Sequence, residues 1–399
     1  MVTEETFSCS DGMKLATRRW TNFSNANDHD QLPRRTRKIL CLHGWLDNAA
    51  SFNRLAPLLL DSSFSSPEAT KIPTEIVALD FPGHGLSSHK SVDGPPQLLA
   101  EYVYYVAELI EALQWGKGNE GGTGTGVGDS RTVVGNIHSN AKHGDGGGVN
   151  TEKSSDNVGD NTNTDENRIL LIGHSMGSGV SVILCAAFPE WFFSLVCLEG
   201  GLIARNANDA SRHVRAACQR RLKSNRTLFP SSNNGSGSNG ETTSPRAKIY
   251  GNLEQAIEAR LSTTRRMPGD QFLSYEAARD MVLRATVPAN AVSSSSHRAD
   301  SEAVVFRHDP RLQWPSLQYY TREQVEAFFR DVNTSNIPVC FLSAADGWPS
   351  ESWAESVIKD VLKPRHIKRL SGSHHFHADS DSVEAVVDEI FKFLEEHKL

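Results

Sequence analysis

Apolar and polar positions along the chain fall into two kinds of block. The first is a short apolar run bounded by polar or turn residues. Such runs occupy Lys38–Leu42, Thr74–Leu79, Arg168–Ile172, Phe192–Glu199, Pro338–Ala344 and His366–Leu370. Their length and their content of Ile, Val and Leu predict strands, several of them buried on both faces. The second kind repeats every 3.6 residues. Leu99, Tyr102, Val103, Val106, Leu109, Ile110 and Leu113 mark a helix over Gln97–Trp115, and Val383, Val386, Val387, Ile390, Phe391 and Leu394 mark one over Val383–Leu394. Shorter helices are predicted over Asn53–Leu60, Met176–Phe188 (stopped by Pro189) and Glu351–Leu362. Phe7–Cys9 and Lys14–Trp20 flank Asp11-Gly12, a hairpin signal. Strands alternating with helices give an α/β class, with a mostly parallel central sheet and helices on both faces.

Two regions break the rhythm. Residues 116–167 are rich in Gly, Asn, Thr, Ser and Asp and hold too little apolar surface to offset ordering entropy, which predicts a disordered insertion. Residues 202–335 carry helical fragments at Ala207–Lys223, Asn252–Ser262, Ser274–Arg284 and Thr321–Val332, with polar stretches at Pro230–Ser244 and Ser293–Ser301 between them. This is the pattern of an inserted helical cap with low-complexity inserts. The chain therefore divides into 1–201 as the first part of a core, 202–335 as the cap, and 336–399 as the rest of the core.

The 399 residues carry a formal net charge of -7 with a pI near 6.1, which disfavours nucleic acid as a partner. The six cysteines form no CxxC and no metal-ligand spacing, and they read as small buried groups in a reducing compartment. No apolar run is long enough to span a bilayer, and the first residues lack the apolar core of a signal peptide, so a cytoplasmic protein is expected. His397-Lys398-Leu399 is a relaxed version of the peroxisomal Ser-Lys-Leu signal, which makes an import receptor a candidate partner beside the plainer reading of a frayed helix end. Oligomeric state is not legible.

Candidate chemistry centres on Gly173-His-Ser175-Met-Gly177, placed between a buried strand and an apolar helix. G-x-S-x-G in that setting is a nucleophile elbow: the serine occupies a strained turn, and the flanking glycines leave room for it. A serine hydroxyl needs a base, and the base an orienting acid. His374 is the candidate base, with His375 able to take the same part and His377 supportive. Metal ligation by these histidines is the competing reading, and it would need carboxylates or cysteines to converge on them. Asp346, after a late strand, is the first candidate acid, and Glu199, after the strand that follows the elbow helix, is the alternative. The oxyanion would be held by the backbone N–H groups of Met176 and Trp45, with Gly44 allowing close approach. His43 reads as structural. All these positions fall at or just past strand C-terminal ends, one edge of such a sheet.

Leu42-His-Gly-Trp-Leu-Asp-Asn-Ala-Ala-Ser-Phe52, Asp80-Phe-Pro-Gly-His-Gly-Leu-Ser-Ser-His89, the elbow, Leu198-Glu-Gly-Gly201, Arg307-His-Asp-Pro-Arg-Leu312 and Ser373-His-His-Phe-His377 together resemble the serine hydrolase-like proteins. These are cap-bearing members of the α/β-hydrolase superfamily, grouped with kraken-type and epoxide-hydrolase-like sequences. The resemblance covers roughly 7–115, 168–205 and 305–399. It implies the α/β-hydrolase fold, Ser175 as nucleophile, His374 as catalytic histidine, His377 and Asp379 in the later positions of that motif, and no cofactor. Asp346 falls about one residue early against the common pattern, while relatives with the acid one strand earlier would place it at Glu199. The resemblance also implies peroxisomal or cytosolic location. The expected reaction is cleavage of a small or medium ester, apolar or amphipathic, through an acyl-serine. Thioester or carbon–carbon hydrolysis on the same residues is the second enzymatic reading. A non-catalytic hydrolase-fold binding protein is the third. Dehalogenase and epoxide hydrolase chemistry would need a carboxylate where Ser175 stands.

Overall fold

A computed structural model describes residues 1–23, 36–61, 72–91, 98–116, 167–228, 248–291, 302–349 and 351–399. The glycine-rich insertion, apart from its two ends, and the polar stretches 230–244 and 293–301 lie outside the described residues. The main sheet has eight strands: β1 (Val2–Ser8), β2 (Lys14–Thr21), β3 (Arg37–Leu42), β4 (Thr74–Leu79), β5 (Ile169–His174), β6 (Phe192–Leu198), β7 (Val339–Asp346) and β8 (His366–Ser373). Their spatial order is β1-β2-β4-β3-β5-β6-β7-β8, and β2 runs antiparallel to its neighbours while β3 to β8 pair in parallel. The helices are α1 (Leu55–Leu60), α2 (Leu99–Ala112), α3 (Met176–Ala187), α4 (Ala210–Leu228), α5 (Leu253–Arg265), α6 (Tyr275–Ala285), α7 (Arg322–Thr334), α8 (Ser352–Val357) and α9 (Val383–Glu396).

The twofold alternation of a strand separates two cores. Leu40, Leu42, Val77, Leu79 and Leu171 face α2, α3 and α7, burying Tyr102, Val106, Ile110, Val180 and Leu184. Ile39, Cys41, Ile76, Ala78, Leu170 and Ile172 face α1 and α9, burying Leu55, Val386, Val387 and Ile390. Helix α7 closes the segment expected to form the cap, yet its Val325, Phe329 and Val332 stripe packs into the first of these cores.

Helices α5 and α6 pack on each other around Ala256, Ile257, Leu261, Ala277, Met281 and Val282, joined by Ala378 from the loop after β8. Beside them lies a three-stranded antiparallel sheet of Ile249–Tyr250, Val304–Phe306 and Thr286–Pro288. Strands of two or three residues carry no periodicity, so the sequence does not announce them. No helix among the described residues is long and apolar enough to cross a membrane.

The β6–β7 insert is fastened to the sheet edge by charged and polar contacts. Asp80, fully buried just past β4, accepts from the backbone N–H of Ala49 and Leu86 (both 2.7 Å) and from Arg284 of α6 (2.9 Å to Nε). Gly85 has φ +47, and a Cβ there would lie 2.3 Å from the Asp80 carboxylate. Asp309 N–H donates to the Gly83 carbonyl (2.8 Å), and Arg311 reaches Asp309 and the carbonyls of Lys90 and Ser91. The Asp80–His89 and Arg307–Leu312 motifs therefore act as a clasp between core and insert.

Candidate active site

Ser175 joins β5 to α3 with φ 51 and ψ -115, the strained geometry expected of an elbow. Its surroundings require glycine. A Cβ on Gly177 would lie 2.1 Å from the Leu42 carbonyl, one on Gly173 would lie 2.6 Å from the Gly177 carbonyl, and one on Gly200 would lie 2.6 Å from the Ser175 Cα. The Ser175 N–H donates to the Leu198 carbonyl of the neighbouring strand (3.0 Å). Met176 opens α3, so its N–H is among the helix amides without an intrahelical acceptor, at the positive end of the helix dipole.

His374 follows β8. Its Nδ1 lies 3.1 Å from Glu199 Oε2, its backbone N–H donates to Gln271 Oε1 of the insert (2.9 Å), and its carbonyl accepts from His174 Nε2 (2.9 Å). Glu199, at φ +46 just past β6, also accepts from the backbone N–H of Ala344 (2.8 Å) and Trp348 (3.1 Å). A Cβ on Gly347 would lie 2.4 Å from the Glu199 carboxylate oxygens, so glycine there lets the loop after β7 fold around them. Burial opposes charge on Glu199, but the His374 hydrogen bond and the two amides outweigh it and hold the carboxyl below the usual glutamate value. Burial lowers the His374 pKa, and Glu199 works against that shift.

The carboxylate that meets the imidazole is thus Glu199. Asp346 is the last residue of β7, where the pairing with β8 shifts register between Ala344 and Asp346. Its side chain is exposed, and its carbonyl accepts from Gln271 Nε2 (2.9 Å). Its expected role as orienting acid has no geometric support, because the irregularity turns it toward solvent while β6 delivers Glu199 to the same loop.

The other histidines are not interchangeable with His374. His375 is buried, with Nε2 3.2 Å from Asp47 Oδ2, and burial lowers its pKa to about 4. His377 is fully buried against His174, ring centroids 4.1 Å apart. Asp379 accepts from the Ser274 N–H at the start of α6 (2.7 Å). Among the described residues no group of three or more His, Cys, Asp or Glu is arranged to hold a metal ion. His43 Nε2 accepts from Phe81 N–H (3.0 Å), which leaves Nδ1–H to donate to the Gly44 carbonyl (2.7 Å), and burial lowers its pKa to about 4. The ring thereby ties the β3 and β4 loops together. Trp45 follows, with Nε1 donating to the Leu312 carbonyl (2.9 Å). Trp45 and Trp348 are each 48% exposed at this edge, and the Trp348 ring sits 5.8 Å from that of His374.

Sequence reasoning missed Asp47, Arg260 and Gln271. Asp47 lies inside the Leu42–Phe52 motif, which is the signal that could have found it. Gln271 and Arg260 sit in the insert, where local pattern says nothing about contacts to the core.

Comparison with known proteins agrees with this architecture. Residues 39–389 match the model of the alpha/beta hydrolase family. A serine hydrolase-like protein of Dictyostelium discoideum is 25% identical over 374 residues, 91% of this chain and 76% of that protein. One from Danio rerio is 30% identical over 46% of this chain and 37% of its own length, and one from Homo sapiens is 46% identical over 79 residues, 20% of this chain and 33% of its own. Among solved structures, a hypothetical protein of Pseudomonas aeruginosa PAO1 superposes with TM-score 0.62 at 25% identity, covering 97% of each chain. The thioesterase domain from the curacin biosynthetic pathway superposes at 0.60 with 15% identity over 98% of this chain and 99% of that one, a likeness of fold. With a strained serine elbow at the C-terminal edge of an eight-stranded sheet and a family match across most of its length, the chain belongs to the alpha/beta hydrolase family.

Proposed function

We propose that the chain is a serine hydrolase that cleaves a small or medium carboxylic ester through an acyl-serine intermediate, with Ser175, His374 and Glu199 as its triad. The observation that supports this most is the His374–Glu199 hydrogen bond, joined to a serine in elbow geometry whose preceding residue, His174, bonds the His374 carbonyl. His374 Nε2 takes the Ser175 proton as Oγ attacks the ester carbonyl, while Glu199 accepts Nδ1–H and stabilises the imidazolium. The Met176 and Trp45 N–H groups receive the oxyanion. His374 then protonates the departing alcohol, and in the second half it deprotonates the water that releases the acid and restores Ser175. The half-exposed indoles of Trp45 and Trp348 at the rim, under the cap formed by the insert, favour an apolar acyl group.

A fluorophosphonate probe tests the reading. Wild type should label and S175A should not, with S175A folded as wild type and inactive on acyl esters of graded length. A wild-type protein that does not label beside a labelled control esterase would leave the fold as a non-catalytic one. Localisation is a separate proposal. Leu399 N–H donates to the Leu394 carbonyl (2.9 Å) and its side chain packs against the core, so the terminal tripeptide finishes α9. Removing it from a tagged protein should leave a cytoplasmic distribution unchanged; loss of a peroxisomal pattern would instead establish receptor recognition.

A further inference from the structure

Asp47 is a buried carboxylate that the proposed reaction does not use. It lies in the loop after β3 and is 3% exposed. A charge so placed persists only when paired, and its partners come from three separate parts of the chain. Arg260 of α5 reaches Oδ1 with its guanidinium, His375 Nε2 lies 3.2 Å from Oδ2, and His174 Nδ1 lies 3.6 Å from Oδ2. The Arg260 side chain is itself only 11% exposed.

Two of these partners touch the base loop. His375 is the next residue after His374. His174, immediately before the nucleophile, bonds to the His374 carbonyl; a carbonyl only accepts, so the His174 ring carries its proton on Nε2. Asp47 therefore grips the base loop at His375 directly and stands against the ring that holds the His374 carbonyl. Gly44 makes this approach feasible, since a Cβ there would lie 2.9 Å from both Asp47 Oδ2 and His174 Nδ1. From the other side Asp47 is fixed by Arg260 of the insert, whose guanidinium also lies 3.3 Å from His375 Nε2.

We propose that Arg260 and Asp47 are positioning residues that make the placement of His374 depend on the seating of helix α5 against the sheet edge. With α5 seated, Arg260 holds Asp47, Asp47 holds the His375 ring, and His375 fixes the backbone on which the base rides. With Arg260 withdrawn, Asp47 is an unpaired buried charge and the loop after β8 loses its anchor. The part played in catalysis rests on the triad assignment above. The coupling of α5 to the base loop does not, and the experiment separates the two.

R260Q, R260K and the doubly neutral D47N/R260Q are compared with wild type by hydrogen exchange and by ester kinetics. In R260Q, amide exchange over 371–379 should speed at least about tenfold while α2 exchanges as in wild type, because the effect travels through the buried Arg260–Asp47–His375 cluster and not through global stability. kcat should fall on the order of tenfold to a hundredfold with KM within about twofold, and R260K, which keeps the charge, should recover part of it. If R260Q does not fold, D47N/R260Q, which leaves no lone buried charge, carries the same test. Unchanged exchange at 371–379, or equal acceleration in α2, overturns the coupling. Normal kcat with a raised KM overturns the positioning role and makes Arg260 a substrate contact. If wild type neither labels with fluorophosphonate nor turns over ester, the hydrolase reading fails by itself, and exchange alone decides the coupling.

Discussion

Replacing Glu199 with glutamine separates the two candidate carboxylates by magnitude. In the structure one oxygen, Oε1, accepts from Ala344 N–H, while Oε2 accepts from both His374 Nδ1–H and Trp348 N–H. A glutamine amide keeps more bonds with its oxygen in the Oε2 position, so its NH2 then opposes the Ala344 N–H. That leaves a buried amide unpaired, at a cost of about 1–3 kcal/mol in stability. The catalytic loss has a different origin. When His374 takes up the serine proton, the carboxylate no longer stands beside the imidazolium. At about 4 Å between charges and an effective dielectric of about 20, the missing attraction is about 4 kcal/mol. Each 1.36 kcal/mol is a factor of ten, so kcat should fall about a thousandfold. Burst kinetics on p-nitrophenyl acetate give the acylation rate directly. D346N, in which an exposed side chain is altered, should stay within about twofold. An E199Q enzyme within tenfold of wild type, with D346N losing a hundredfold, would refute the assignment and the geometry argued for it.

The acid limb of kcat/KM should lie below pH 6.5, because burial lowers the His374 pKa and the base must be neutral to act; E199Q removes a group that raises that pKa, so its limb should move to lower pH, and a move upward would contradict the electrostatics. Stability should fall as pH drops below 6.5: His43 and His375 are buried neutral with pKa near 4 and His84 near 3, so the unfolded chain binds protons that the folded one refuses, a slope on the order of 1.4 kcal/mol per pH unit for each. Urea unfolding at pH 7.5 and 5.5 measures this, and equal midpoints would argue against neutral buried rings. G177A should destabilise by at least about 3 kcal/mol, since its Cβ would fall 2.1 Å from the Leu42 carbonyl; a thermal midpoint within about 2 °C of wild type would refute the close approach. Shortening the segment 117–166 to a brief glycine-serine link should leave ester turnover within about threefold, because Gly116 N–H already donates to the Asn167 carbonyl (2.9 Å) at the β5 end opposite Ser175; a loss above about tenfold would give the segment a part in function.

The chain's own pattern determined its elements and the elbow, because both are local. Apolar runs of strand length, the 3.6 period of α2 and α9, and glycines two residues either side of Ser175 act over a few positions, and the structure keeps each element within about three residues of its expected bounds. The positions at the strand ends were legible for the same reason, once a parallel sheet was expected. Which carboxylate meets His374 was not. Glu199 and Asp346 both end strands, and the choice turns on a register shift between β7 and β8 and a left-handed backbone at Glu199, neither of which has a sequence period. Nor could the sequence pair Asp47 with Arg260, 213 residues away, or pack α7 on α3. Those contacts exist only when the β6–β7 insert folds back onto the sheet edge, where burial makes a charge demand a partner that short-range pattern never names.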